Sequence, residues 1–227
     1  MSPARIIGVV VAGLVVAGVA IAGAMALGGT SQLAPPDAAQ PIVIGVVAAP
    51  GEELTGPTEL PPLAMVLDEP VPDAIAQLSP SQQVAAYRAE AAGDDVGALM
   101  RLGSAQQRAG EQDAAAGTFR SAAAADPNAI APVIGLAMAD AATGDAGMKR
   151  ATAVLARVTR ENADSQLAWF NRGWLATYRR DARDVIASWK RVVTIDAESP
   201  IGQTAAQLLK GIAEQARTGA GTRTSGG

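Results

Sequence analysis

Hydrophobic residues are distributed in three ways along this chain, and each distribution predicts a different structure. Residues 6–27 read IIGVVVAGLVVAGVAIAGAMAL, an apolar run without a charge. Residues 28–78 hold nine prolines, whereas residues 79–217 are rich in the helix formers Ala, Leu, Arg and Gln. The pattern predicts a short cytoplasmic N-terminus at 1–5, a transmembrane helix at 6–27, a disordered acidic tether at 28–78, a helical domain at 79–217 and a flexible tail at 218–227.

The first apolar run is long enough to cross a bilayer. Its 22 residues form a helix that spans the roughly 30 Å hydrocarbon core. Arg5 precedes the run and the next basic residue is Arg88, so the positive-inside rule keeps the N-terminus in the cytoplasm and exports the remainder. A cleaved signal peptide is the alternative, because AMA at Ala24–Ala26 resembles a cleavage site, and the protein is then secreted.

Two apolar islands interrupt the tether, PIVIGVV at Pro41–Val47 and LAMVL at Leu63–Leu67. A short apolar run inside a disordered segment indicates docking, either on the chain's own domain or on a partner. A strand-like segment without a partner is the alternative for each island.

A bulky residue recurs at a fixed interval in the helical region. Phe119, Leu155 and Trp189 lie 36 and 34 residues apart, each with small or β-branched neighbours on its own helix face. Gly103 and Gly173 each stand 16 residues before such a bulky residue. A period near 34 predicts three stacked helix pairs, in which small residues let two helices touch and the large one fills the gap to the next pair.

The first copy resembles the tetratricopeptide repeat family, on the residues Leu102, Gly103, Gly110, Ala115, Phe119, Ala122 and Pro127. In the third copy Arg180 stands where that family has a turn glycine. The resemblance implies an all-α fold, a right-handed α-solenoid of about three helix-turn-helix repeats. A capping helix at Pro200–Arg217 would cover its last face. It also implies that the first helix of each pair lines a concave groove.

Aligning the copies places six large apolar side chains on that groove face: Met100, Ile134, Met138, Phe170, Trp174 and Tyr178. The last three form a stripe, because they are spaced four residues apart on one helix. Such a groove is typical of binding an extended or helical peptide with aromatic anchors. The alternative is that these residues are core, covered by the capping helix, by the helix that begins near Ser79, or by the island Leu63–Leu67.

Charge is distributed unevenly along the chain. Residues 1–148 carry 5 basic and 15 acidic side chains, whereas residues 149–191 carry 10 basic and 4 acidic ones. The basic stretch indicates contact with an acidic partner, with anionic headgroups or with the chain's own tether. Solvated outer faces of the second helices are the alternative.

The absence of cysteine and histidine removes disulfides, most zinc sites and histidine-based catalysis. We therefore expect no enzyme, no catalytic residue, no metal, no cofactor and no small-molecule substrate. The net charge of −4 argues against nucleic acid. The sequence predicts a scaffold tethered to the lipid bilayer through residues 6–27, which binds a peptide or helical segment of another envelope protein in its groove. The alternatives are an assembly factor of an envelope complex, such as one for cytochrome c maturation, and a self-associating structural protein.

Overall fold

The computed structural model describes residues 14–16, 42–44, 62–91, 93 and 95–221. Its strands are β1 (Leu14–Val16) and β2 (Ile42–Ile44), which pair antiparallel with Val15 opposite Val43. Everything else with regular structure in the described ranges is helical, as an all-α class predicts.

At Leu14–Val16 the helix expected over residues 6–27 is replaced by a strand. Val15 and Val16 are β-branched and suit a strand, in which β2 supplies the backbone partners. The rest of that run lies outside the described residues, as do the remainder of the first island and most of the tether. Among the helices that the structure describes, none has the length and apolar character needed to cross a membrane.

The described helices follow one another closely from residue 73 to residue 221. They are α1 (Asp73–Ala76), α2 (Pro80–Glu90), α3 (Val96–Arg108), α4 (Gln112–Ala125), α5 (Ile130–Ala141), α6 (Asp145–Glu161), α7 (Gln166–Tyr178), α8 (Ala182–Ile195) and α9 (Pro200–Gly221).

Local sequence signals set the start of α2. Ser79 precedes Pro80, and its Oγ accepts a hydrogen bond from the Gln82 backbone N–H at 3.4 Å. The Gln82 side chain in turn accepts from the Ser79 N–H at 2.9 Å. This reciprocal arrangement satisfies two backbone donors that a helix start leaves free. The predicted cap at Ser79 is thereby confirmed.

The helices pack as three successive pairs, α3 with α4, α5 with α6 and α7 with α8. The first helices of the pairs also contact one another, α3 with α5, α5 with α7 and α7 with α9. They begin at Val96, Ile130, Gln166 and Pro200, at intervals of 34, 36 and 34 residues. α9 therefore takes the place that the first helix of a further pair would have, and it covers α7 and α8.

Phe119 shows why the sequence places one large residue in an alanine-rich helix. Its fully buried ring lies against Gly103 of α3 and Gly135 of α5, and a Cβ at either glycine would collide with it. One ring therefore fills the space between two successive first helices, as predicted. Trp189 has the same relation to Gly173 within the third pair.

Candidate peptide-binding groove

The six side chains predicted to line a groove lie on α3, α5 and α7 and belong to one hydrophobic cluster. Tyr178 is half-buried in the structure. The other five are buried, namely Met100, Ile134, Met138, Phe170 and Trp174. Trp174 meets Tyr178 edge to face, with ring centroids 5.9 Å apart. These residues are therefore packed against something rather than open to solvent.

One of the elements that join this cluster is the second apolar island of the chain itself. We call residues 62–71 the docked segment. Leu63, Ala64 and Met65 are buried, and Leu63 and Met65 join the same hydrophobic cluster as the groove residues. The sequence left open whether Leu63–Leu67 docks on the chain's own domain, docks on a partner or is a strand-like segment without a partner. In the structure it docks on the chain's own domain. The last part of the predicted tether thus belongs to the folded unit.

The peptide backbone of Met65 is held by two side chains of α3. Its N–H donates to Gln107 Oε1 at 2.8 Å, and its carbonyl accepts from Ser104 Oγ at 2.8 Å. Met65, Ser104 and Gln107 are all at most 1% exposed. Buried backbone groups without a partner are costly. These two hydrogen bonds therefore allow a segment without regular secondary structure to be buried here.

Val66 is held by α7 in the same way. Its N–H donates to Asn171 Oδ1 at 2.8 Å, and its carbonyl accepts from Asn171 Nδ2 at 2.8 Å. Asn171 is fully buried, and its Nδ2 also donates to the Leu167 carbonyl, which fixes the orientation of the amide. We call Ser104, Gln107 and Asn171 the backbone clamp. The clamp satisfies the N–H and the carbonyl of two consecutive residues.

Both ends of the docked segment carry further polar contacts. Gln112 Nε2 lies 3.4 Å from the Leu63 carbonyl, and Arg101 forms an ion pair with Glu69 at 3.1 Å. The Gln112 Oε1 atom is buried and has no hydrogen-bond partner within the described ranges. The centre of the segment is therefore the most completely bonded part.

Burial changes the acid–base behaviour of both tyrosines beside the groove. Desolvation raises the pKa of Tyr178 to about 12. Desolvation is also the main cause that raises the pKa of Tyr87, which is 2% exposed on α2. Both phenols therefore stay neutral, and act as donors or acceptors rather than as charges, throughout the physiological pH range.

Sequence reasoning missed Gln107 and Asn171, the two carboxamides of the backbone clamp. It sought large apolar side chains, and polar residues inside a helix are usually solvated. Asn171 did carry a signal, since asparagine is a poor helix former and here stands in the middle of an apolar and aromatic helix, LAWFNRGWL. A buried amide of that kind needs partners, and the docked segment supplies them.

The basic stretch after residue 148 is divided between paired and solvated side chains. Arg150, Arg157, Arg179 and Arg191 form ion pairs with acidic residues of the same helical unit. Hydrogen bonding to Arg150 lowers the pKa of its partner Asp140. Arg172 forms a further ion pair with Asp184 at 2.8 Å, and the remaining ones are exposed: Lys149, Arg160, Arg180, Arg183 and Lys190. Surface pairs of this kind add little stability each.

Comparison of the chain with protein-family models, with curated proteins and with solved structures returns no match in any of the three. The groove, the docked segment and the backbone clamp are therefore the features of the described residues that indicate a function.

Proposed function

We propose that this protein is a membrane-tethered interaction module, whose groove binds an extended apolar segment of another protein. In this proposal the three helix pairs and α9 form a right-handed solenoid similar to tetratricopeptide repeats. One observation carries the proposal: the groove holds a piece of chain without regular structure, and side chains rather than a backbone ladder bond the N–H and the carbonyl of Met65 and of Val66. A groove that accommodates one extended segment has the chemistry to accommodate another.

The contacts indicate which kind of segment fits. Hydrogen bonds to Met65 and Val66 involve backbone atoms, so they are available to almost any residue except proline at those two positions. Discrimination comes from the buried side chains, which in the docked segment are Leu63, Ala64 and Met65. The partner segment is accordingly extended, uncharged and rich in aliphatic residues and methionine.

The docked segment competes with any such partner. It is joined to α1 by residue 72 alone, so its effective concentration at the groove is on the order of millimolar or more. A partner must therefore bind more tightly than the cis segment, or bind when that segment has left. The resting protein is closed, and binding of a partner exchanges one extended segment for another.

Tethering to the bilayer is proposed from the sequence of residues 6–27. The run has the length and hydropathy of a membrane span, and only Arg5 of the 18 basic residues precedes it. A helix across the bilayer and the pairing of Leu14–Val16 with Ile42–Ile44 are mutually exclusive, so insertion would require β1 and β2 to separate.

The test frees the groove without shortening the chain. Val66→Pro removes the N–H that Asn171 accepts, so we expect it to weaken docking of the cis segment. A fluorescent synthetic peptide of residues 62–71 should then bind the variant at least about tenfold more tightly than the unaltered chain, as measured by anisotropy. Val71→Pro is the matched control, because Val71 is 40% exposed and forms none of the clamp's hydrogen bonds.

Three results would count against the proposal. Equal binding of the peptide by the Val66→Pro chain and by the unaltered chain would show that the groove does not take a segment in trans. Binding of a peptide that itself carries the Val66→Pro change would show that the clamp does not select it. Concentration-dependent dimers of the variant, broken by the peptide, would assign the groove to self-association between copies.

A further inference from the structure

A second feature of the domain is a cavity of about 410 Å³ beside the docked segment. The segment forms one wall, α2 and α3 form the other, and Trp174 closes it at the groove. Its apolar lining includes Met65, Val71, Ala76 and Trp174. Cavities of this size and character are typical of sites for small molecules.

Charge within the lining is not balanced. Three charged residues face the cavity, Glu69, Arg101 and Arg108. Glu69 and Arg101 form an ion pair at 3.1 Å, and Arg101 also reaches Glu90 at 3.5 Å. For Arg108, in contrast, no carboxylate oxygen of the described residues lies within the 4.0 Å of an ion pair. Among the described residues, one positive charge of the cavity wall is therefore left without a counter-ion.

Arg108 is half-buried and is hydrogen-bonded only to neutral acceptors within the part of the chain that the structure describes. Its Nη1 donates to Ser104 Oγ at 2.7 Å, and its Nη2 donates to Gln83 Oε1 at 3.2 Å. Burial lowers the pKa of Arg108, but an arginine remains charged at neutral pH. A guanidinium carries five N–H groups, so these two bonds leave donors for an anion.

The hydroxyl of Tyr87 is a second polar group in the same wall. Tyr87 lines the cavity from α2, and its hydroxyl has no hydrogen-bond partner among the described residues. Arg108 lines the same cavity from α3. The two side chains together supply polar donors to a largely apolar space.

We propose that this cavity binds a single-chain amphiphile, with its anionic head group on Arg108 and its alkyl chain against Met65, Val71 and Trp174. The head group supplies the missing negative charge to a partly desolvated guanidinium, which strengthens such a pair. The alkyl chain removes apolar wall from water. This site shares Ser104 with the backbone clamp, and it does not depend on any peptide partner.

The cavity exists only while the docked segment is in place, since residues 62 and 64–67 line it. Ser104 links the two features directly, because its Oγ accepts from Arg108 and donates to the Met65 carbonyl. Occupation of the cavity therefore favours the closed state of the groove. By thermodynamic linkage, the factor by which the amphiphile favours the closed state equals the factor by which opening of the docked segment weakens binding of the amphiphile.

Isothermal titration of the full-length protein with decanoate, decyl phosphate and decanol tests the site. We expect at least one of the two anions to bind, at least about tenfold more tightly than decanol, and the comparison of the anions identifies the head group. Arg108→Gln should abolish the difference between anion and alcohol. Arg120→Gln, an exposed arginine of α4, is the matched control and should leave binding unchanged.

Two further variants keep the test decisive if Arg108→Gln folds poorly. Ala76→Trp adds bulk at an exposed position in the cavity wall, so it should block the alkyl chain with Arg108 intact. Asn171→Ala does not alter the lining but loosens the segment, so it should weaken binding as well. The proposal is overturned if decanol binds as tightly as both anions, or if Ala76→Trp and Asn171→Ala bind the anion undiminished.

Discussion

Asn171 bonds to both backbone groups of Val66, 105 residues away in the chain, with two hydrogen bonds of 2.8 Å each. The pairing resembles one step of a β-ladder in which a side-chain amide replaces the neighbouring strand. It explains how a segment without regular structure lies buried against helices. It also makes one side chain a principal attachment of the docked segment to α7.

Asn171→Ala should release the docked segment. The change leaves the N–H and carbonyl of Val66 without partners and lowers the free energy of unfolding by about 2 kcal/mol. Hydrogen exchange should show faster exchange of the Val66 amide, with the helical amides of α5 little affected. Asn128→Ala, at an exposed position between α4 and α5, is the control. Unchanged exchange at Val66 would contradict the role of the clamp.

Gly103→Ala and Gly117→Ala should have opposite effects on stability. A Cβ at Gly103 collides with the ring of Phe119, whereas a Cβ at Gly117 meets nothing within 4 Å. We expect the first change to lower the free energy of unfolding by about 1–3 kcal/mol and the second to raise it by up to about 1 kcal/mol.

A double-mutant cycle separates the collision from other effects of Gly103→Ala. In a Phe119→Leu background, Gly103→Ala should lower the free energy of unfolding much less, because the smaller leucine side chain leaves room for the added methyl group. Denaturant unfolding of the four proteins measures this coupling. Additive effects would show that Phe119 does not fill the space between α3 and α5.

Arg180→Gly should stabilise the protein. Arg180 has a φ of 58°, in the left-handed region, at the turn between α7 and α8 where the first pair has Gly110 with a φ of 79°. Glycine adopts this conformation without strain, which should raise the free energy of unfolding by about 1 kcal/mol. The greater conformational entropy of glycine in the unfolded chain offsets part of this gain. Lys190→Gly, in the exposed interior of α8, should instead destabilise by about 1 kcal/mol. Thermal melts that rank the two variants the other way would refute this.

Stability should fall as pH rises from about 10 toward 12. Burial raises the pKa of Tyr178 to about 12 from its ordinary value of 10.0. In that window the unfolded chain loses a proton that the folded chain keeps, so the slope of unfolding free energy against pH is negative. Phenolate absorbance should show Tyr178 titrating near pH 12, and Tyr178→Phe should remove that transition. A midpoint near 10 would contradict the burial of the phenol.

The full-length protein should sediment with membranes and resist extraction by high salt. Deletion of residues 1–27 should move it to the soluble fraction, because the remaining chain lacks an apolar run of comparable length. Mass spectrometry of the purified protein distinguishes the anchor from a signal peptide. A mature chain beginning near Leu27 would favour cleavage.

The helical pairs were predictable from the sequence because their determinants are local and periodic. Ser79 with Pro80 marks a helix start, and the interval between Phe119 and Trp189 reports a repeated packing requirement. A large side chain that recurs at a fixed spacing indicates this packing requirement even when the helix that it packs against is not known. The apolar face of α3, α5 and α7 was predictable for the same reason.

The occupant of that face was not predictable, because it depends on contacts between residues far apart in the chain. The sequence placed Trp174 and Met138 on one face, but a face of this kind fits a groove and a core equally well. Only the tertiary structure shows which part of the chain lies against this face. It brings Met65 and Val66 within reach of Gln107 and Asn171, and buried backbone groups are stable only where such partners converge. The sequence by itself therefore determined the repeating helical scaffold, and the tertiary structure determined that the scaffold closes on its own chain.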